Sequence, residues 1–347
     1  MADILDIQDT TWSGPAASYM YTRAVVDAKT IEEGCIWVED GIRKRKTIPR
    51  IEVSDFMQKR AAVPISKGKV TVDGAVLEPQ DAMLYYEFNP RNYETHFYAE
   101  QLQPKLLGRE LPVTAETFMV MQTMKRLNEF WETSIWRSRK QYDPDGAAIL
   151  PSAKGEPATG TPLYDTDGTP AAYYFDGLIK KALDNANTIS VPTPATLVAG
   201  TAGGGQENIG DALLRCLKLV PKALLYRRGK MGLKFQMSYN TRLIYEEFLT
   251  TTTVYKNNNT TDKSLDLYKG YDVVALPGMP DDTIVVTIAT PDIESNQWLG
   301  INSTEDNTLQ LQRLQNNAEL FFVKGLFKID AQIGFADQFV LYTKLTA

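Results

Sequence analysis

Apolar residues occupy every second position of one long stretch late in this chain, and no other feature narrows its fold as far. Phe321, Val323, Gly325, Phe327, Ile329, Ala331, Ile333 and Phe335 fall on one side. Lys324, Lys328, Asp330 and Gln332 fall on the other. Successive strand residues point to opposite faces, so a period of two predicts a long strand with one buried face. Ala336-Asp-Gln then reads as a turn, and Phe339-Val-Leu-Tyr as a returning strand. Together they predict a terminal β-hairpin within residues 311–347.

The clearest helix is predicted over 113–139. Pro112 and Thr114 give a start, with Thr114 as N-cap and Glu116 in the first turn. Val120, Met124, Leu127, Trp131 and Ile135 recur at helical spacing, and Phe118, Met121, Phe130 and Trp136 widen the stripe. Lys125, Arg126, Glu129, Glu132 and Arg137 are expected largely outside it. At 1.5 Å per residue, about 24 residues span ~36 Å, a single spine.

Residues 35–92 read as a β-rich excursion. Strands are predicted at Ile36-Trp-Val, Lys46 to Val53, Gly68 to Gly74 and Ala82 to Phe88, with Pro49 marking an edge position. Met57 to Lys67 between them is polar, as an exposed tip would be. An isolated hairpin is marginal in water, so such an excursion needs an external surface. Residues 1–34 read as an arm that lies against something else, such as another subunit. Gln141 to Thr169 is a long polar loop. A helix is predicted after Gly177 within Ala171 to Asn185, and 93–199 forms one region with the spine. Residues 200–310 mix helices (Asn208 to Lys218, and Ser238 to Leu249 with Ser238 as N-cap) with strands at Lys222 to Tyr226, Tyr271 to Leu276, Thr283 to Ala289 and Asn296 to Ile301. The fold class is α+β.

Several kinds of chemistry are disfavoured. His96 is the single histidine of 347 residues, set among Tyr93, Glu94, Phe97 and Tyr98 as in an aromatic cluster, so a Ser-His-Asp or Cys-His triad would have to run through it. Cys35 and Cys216 read as buried, inert thiols. Phosphate-loop, dinucleotide, nucleophile-elbow and zinc-protease motifs are missing; Gly200 to Gly205 has the glycines but no following Lys and Ser or Thr. Asp143, Asp145, Asp165 and Asp167 sit in Asp-Gly turn sequences, and Glu246 and Glu247 read as a solvated helix face. No catalytic residue, cofactor or metal is assigned. The net charge of −6 is not that of a dedicated nucleic-acid binder. One basic run, Ile42-Arg-Lys-Arg-Lys-Thr-Ile-Pro-Arg, has two readings: contact with nucleic acid or an acidic neighbour, or a solvated strand end that discourages edge pairing. The acidic N-terminus and the lack of a long apolar run predict no secretory signal and no membrane association.

The order arm, β-excursion, long helix, mixed lobe and closing strands resembles the Hong Kong 97 fold of tailed-phage major capsid proteins. Tyr86-Glu-Phe-Asn-Pro-Arg-Asn-Tyr-Glu-Thr-His, Phe118 through Ile135-Trp-Arg, Phe175-Asp-Gly-Leu-Ile, Pro221-Lys-Ala, Ser295-Asn-Gln-Trp-Leu-Gly and Gln332-Ile-Gly-Phe are similar to phrases in capsid proteins of Bacteroidales phages and prophages, the crAss-like group included. The resemblance implies an N-terminal arm (1–34), an E-loop (35–92), a peripheral lobe with the spine (93–199), an axial lobe (200–310) and a closing hairpin of the peripheral lobe (311–347). It implies self-assembly as hexamers and pentamers into an icosahedral virion shell built in the host cytoplasm around double-stranded DNA, held by non-specific charge contact. A portal and decoration proteins are implied partners. The short arm adds a separate scaffolding protein, since some members instead carry a long cleaved extension. The implied inter-subunit residues are Arg43, Lys44, Arg45, Lys46, Lys59, Arg60, Lys67 and Lys69. Lys67 and Lys69 lie where other members cross-link, yet nothing marks an Asn acceptor, so non-covalent assembly is expected. The alternatives are an encapsulin-like nanocompartment shell and a carboxylate-based hydrolase or glycan-binding protein using the 200–310 lobe.

Overall fold

In the computed structural model, the structure describes residues 10–12, 28–53, 57–60, 68–88, 115–138, 175–226, 232–251, 266–302, 308–314 and 317–345. In chain order the elements begin with β1 (Thr10–Trp12), α1 (Lys29–Glu32), β2 (Trp37–Glu39), β3 (Lys46–Val53), β4 (Val70–Leu77) and β5 (Gln80–Phe88). Then come α2 (Ala115–Arg137), α3 (Leu178–Asp184), β6 (Ile189–Ser190), β7 (Thr196–Val198), β8 (Gln206–Asn208), α4 (Ile209–Leu219), β9 (Leu233–Met237) and α5 (Tyr239–Thr251). The rest are strands: β10 (Leu267–Tyr268), β11 (Tyr271–Ala275), β12 (Ile284–Ile288), β13 (Gln297–Ile301), β14 (Thr308–Leu314), β15 (Asn317–Ile333) and β16 (Val340–Tyr342).

The period-two stretch is β15, the organising strand of a six-stranded sheet. Its first part lies between β14 and β5, and its last residues pair with β13, which pairs in parallel with β2. Val323, Phe327, Ile329, Ala331 and Ile333 are buried, as the alternation predicts. They meet α2, where Trp131 stands edge-on to Phe327 with ring centroids 6.3 Å apart.

The spine spans 23 residues, or ~34 Å. Leu127, Trp131 and Ile135 are buried as expected; the side chains of Val120 and Met124, and the Thr114 cap, fall outside the described residues. Lys125, Arg126 and Glu129 are exposed, but Glu132 and Arg137 are not. This corrects the expectation of a polar outer face along the whole helix. The C-terminal turns are enclosed on all sides, and specific partners satisfy the charges. Glu132 accepts from Thr30, and Arg137 donates to the carbonyls of Gly278 (2.9 Å) and Met279 (2.7 Å). Gly278 allows this closeness, because a Cβ there would stand 2.2 Å from the Glu132 carbonyl oxygen.

The second sheet has the order β10-β11-β9-β12-β16-β6. Here the predicted terminal hairpin is corrected. β16 does not return along β15; it crosses over and lies between β12, antiparallel, and β6, parallel. The reason is burial on both faces. Val340 and Tyr342 face one core and Leu341 the other, so β16 suits the interior of a doubly covered sheet. β15, with one solvent face, does not offer that site. Accordingly the 200–310 and 311–347 boundaries do not follow the sheets: β13 and β14 belong to the first and β16 to the second.

α4 and α5 cover one face of the second sheet through Leu213, Cys216, Tyr245 and Leu249, while Val285, Ala289 and Leu341 join the core around Trp131. Ser238 caps its helix as the sequence predicts, its Oγ accepting from the Thr241 N–H (3.1 Å), and Asn208 caps the other, its Oδ1 accepting from the Gly210 N–H (2.8 Å). The strand expected at Lys222 to Tyr226 is instead a 3-10 turn over Lys222–Leu224. Pro221 opens it, its carbonyl accepts from the Leu224 N–H, and Lys222 and Ala223 stay exposed. No described helix is long and apolar enough to cross a membrane.

Candidate assembly surfaces

β3 and β4 form a two-stranded sheet separate from the two six-stranded ones, with Lys46 opposite Leu77 at one end and Val53 opposite Val70 at the other. Each strand has eight residues, so the pair extends ~26 Å. Pro49 lies opposite Gly74, where a Cβ would come within 2.5 Å of the Ile48 carbonyl oxygen. Both strands are edges, so the missing proline N–H deprives no third strand.

The hairpin is held at its root. Ile42, Ile48, Leu77 and Trp298 form a small buried cluster, and Trp37 stands edge-on to Trp298 at 6.3 Å. The Glu78 N–H donates to Asp330 (2.9 Å), and Gln332 Nε2 donates to the Val76 carbonyl (2.7 Å). So two of the polar residues on the outer side of β15 are anchors for the hairpin. Asp330 also pairs with Lys181 at 2.7 Å; desolvation pushes its carboxyl upward, opposed by that ammonium.

The basic residues divide into two groups. Arg43, Lys44, Arg45 and Lys46 are exposed at the root. Lys46 pairs with Glu39, which also accepts from Trp37 Nε1 (3.0 Å). Burial opposes ionisation of Glu39, but these two donors hold its carboxyl below the ordinary value. Lys59, Arg60 and Lys69 are exposed towards the other end, and Lys67 lies outside the described residues. Seven residue steps along β3 separate the ends, ~24 Å, so the structure does not bring the predicted residues together.

One surface was missed in the sequence. On the outer side of the β5–β15 pair, Met83, Tyr85 and Leu326 are exposed, and Tyr85 packs on Phe322 with centroids 5.9 Å apart. The signal was present: Phe322 and Leu326 share the even positions of β15 with its lysines.

Elsewhere the polar groups are structural. Cys35 and Cys216 are fully buried, and desolvation pushes their thiols up to about 11 and about 12. Gly200 to Gly205 form an exposed turn between β7 and β8. Glu246 and Asp266 line an open cleft with Tyr239, Leu243 and Asp272, but both pair with Arg242, at 3.1 Å and 2.6 Å. Among the described residues no group of three or more His, Cys, Asp or Glu could hold a metal ion. His96 and the Asp143, Asp145, Asp165 and Asp167 turns lie outside them.

No family model and no curated protein matches the sequence. Solved structures match it along nearly its whole length. A chain of the satellite phage P4 procapsid including size determination (Sid) protein is similar with a TM-score of 0.54 and 9% identity, over 95% of this chain and 99% of that one. The capsid of Myoviridae phage XM1 gives 0.51 and 11%, over 99% and 96%. A chain of Mycobacterium phage Adephagia gives 0.50 and 12%, over 92% of each. The fold is α+β and of the Hong Kong 97-like capsid type.

Proposed function

We propose that this chain is a major capsid protein, a structural subunit that assembles as hexamers and pentamers into the icosahedral head of a phage around double-stranded DNA. The observation that carries the reading is the end-to-end likeness to a procapsid chain, with no lobe of either left over. The hairpin supports it physically. A ~26 Å ribbon secured at one end gains little within one subunit and gains burial when it lies on a neighbour.

In this reading 1–34 is the N-terminal arm, 35–92 carries the E-loop, the first sheet with α2 is the peripheral lobe, and the second sheet with α4 and α5 is the axial lobe. The basic residues then divide in role. Lys59, Arg60 and Lys69 reach a neighbouring subunit, while Arg43, Lys44, Arg45 and Lys46 sit at the root of the same arm. The role is structural, without catalysis. Assembly takes place in the host cytoplasm, aided by a scaffolding protein, a portal and decoration proteins. The phrases at Tyr86 to His96 and Ser295 to Gly300 support a finer affiliation with Bacteroidales phages.

The test is mass by light scattering with negative-stain microscopy, for the protein alone and co-expressed with its neighbouring genes. Uniform shells, capsomers or sheets are expected. A strict monomer in every preparation overturns the reading; shells that hold a protein cargo and no nucleic acid replace it with a nanocompartment.

A further inference from the structure

Two connections run from strand to strand directly between the sheets: residues 289–296 join β12 to β13, and 334–339 join β15 to β16. They pass side by side, and Asn296 binds both. Its N–H donates to the Ile288 carbonyl (2.9 Å), and its carbonyl accepts from the Gly334 N–H (2.9 Å). Its Oδ1 accepts from the Phe335 N–H (2.5 Å), and its Nδ2 donates to the Phe335 carbonyl (2.9 Å) and to Thr287 Oγ1 (2.8 Å). Thr287 passes the chain on, donating to the Gln338 carbonyl at 3.2 Å. Residue 334 is glycine, and a Cβ there would make a tight contact, 3.3 Å, with Asn296 Oδ1.

Beside this knot, Gln236 of β9 and Gln297 of β13 exchange two amide hydrogen bonds, at 3.1 and 2.8 Å, across the same junction. Thr287, Asn296, Gln236 and Gln297 are all buried. A buried polar seam therefore runs along the junction of the two sheets. Apolar contact is non-directional and tolerates small rotations of one sheet over the other. Buried amides tolerate few, since any misaligned group is left without water or partner.

We propose that Asn296 is a positioning residue that fixes the angle between the two sheets and, on the reading that this chain builds shells, sets the curvature each subunit imposes on its ring. Every subunit in a closed shell repeats the same angle, so a small spread in it is multiplied around the assembly. Other ties join the two regions, Arg137 to Gly278 among them, but these hold side chains; the Asn296 knot holds both direct connections at once.

The test separates angle from assembly. Spin labels are placed at Met83→Cys on β5 and Leu243→Cys on α5, both exposed positions, while the native cysteines are fully buried. Double electron–electron resonance then reads the distance distribution in the folded, unassembled subunit, and microscopy reads the diameters of unlabelled shells. Thr287→Val removes a partner of Asn296 at nearly constant volume, Asn296→Asp removes the Nδ2 donor to both Thr287 Oγ1 and the Phe335 carbonyl, and Thr287→Ser keeps the hydroxyl. The expected result is a distribution at least twofold broader for Thr287→Val and Asn296→Asp, a parent-like one for Thr287→Ser, and a matching spread in shell diameter. If Asn296→Asp fails to fold, Thr287→Val decides. Parent-like distances in the folded variants overturn the proposal; broadened distances with uniform shells overturn its link to curvature. If the parent is a strict monomer in every preparation, the capsid reading falls, and the label distances still judge the angle.

Discussion

Glu132, in the middle of the spine's enclosed end, accepts hydrogen bonds from both the N–H (2.9 Å) and the hydroxyl (2.7 Å) of Thr30, a residue 102 positions earlier in the chain. Trp136 Nε1 donates to the same hydroxyl at 2.8 Å. The root of the N-terminal region is thus tied to the helix by a buried carboxylate.

That carboxylate titrates upward. Desolvation raises the Glu132 pKa above its ordinary value, against the donors at Thr30 and Gly278. For a group whose folded pKa is raised, the favourable contribution is complete below the unfolded value and is lost as pH rises through the folded one. Wild type should therefore gain stability relative to Glu132→Gln as pH is lowered from neutral through the window above the ordinary carboxylate range. Paired thermal melts across pH check this; a gap between the two proteins that does not change with pH would contradict it.

Trp131 is 1% exposed and stands against Phe327 and Phe130. Trp131→Ala should cost about 3–5 kcal/mol, the range for deleting a buried aromatic. A denaturant titration measures it, and a near-neutral result would remove Trp131 from the core.

The Gln236–Gln297 pair predicts non-additivity. Either single change to Leu orphans a buried amide and should cost about 1–3 kcal/mol. The double variant orphans neither and should be less destabilised than the sum of the two. A double-mutant cycle on chemical unfolding would show strict additivity if the amides did not interact.

Deleting Met57 to Lys67, which lie in sequence between β3 and β4, leaves the Trp37–Trp298 root in place. The subunit should keep its melting temperature within a few degrees yet fail to close shells. Normal shells from this variant, seen by negative stain, would end the E-loop assignment.

Much of this fold is legible in sequence where the pattern is local. β3 and β5 alternate, β15 keeps one face apolar for most of its length, and Asn208 and Ser238 precede their helices as caps do. What escapes is set by distant partners. Glu132 and Arg137 look like surface residues until Thr30 and Gly278 are brought to them. Val340 to Tyr342 look like the return of a hairpin, because an apolar strand three residues long carries no record of which sheet receives it. The candidate surface was half legible: the basic residues stand out as a charge cluster in the sequence, but their division into two groups depends on the length of a β-ladder, and the Met83–Leu326 strip was hidden among lysines.

The place of β16 also orders events in time. This strand is synthesised after every other described strand, yet it lies inside the second sheet, between β12 and β6. Until it arrives, those two neighbours lack their partner, and Val286, which pairs with Val340, lacks part of its cover. A nascent chain still short of Val340 holds an open sheet and an incomplete lobe. Of the described strands β16 is thus the last to be made, and a chain cut before Val340 would leave β12 and β6 unbridged.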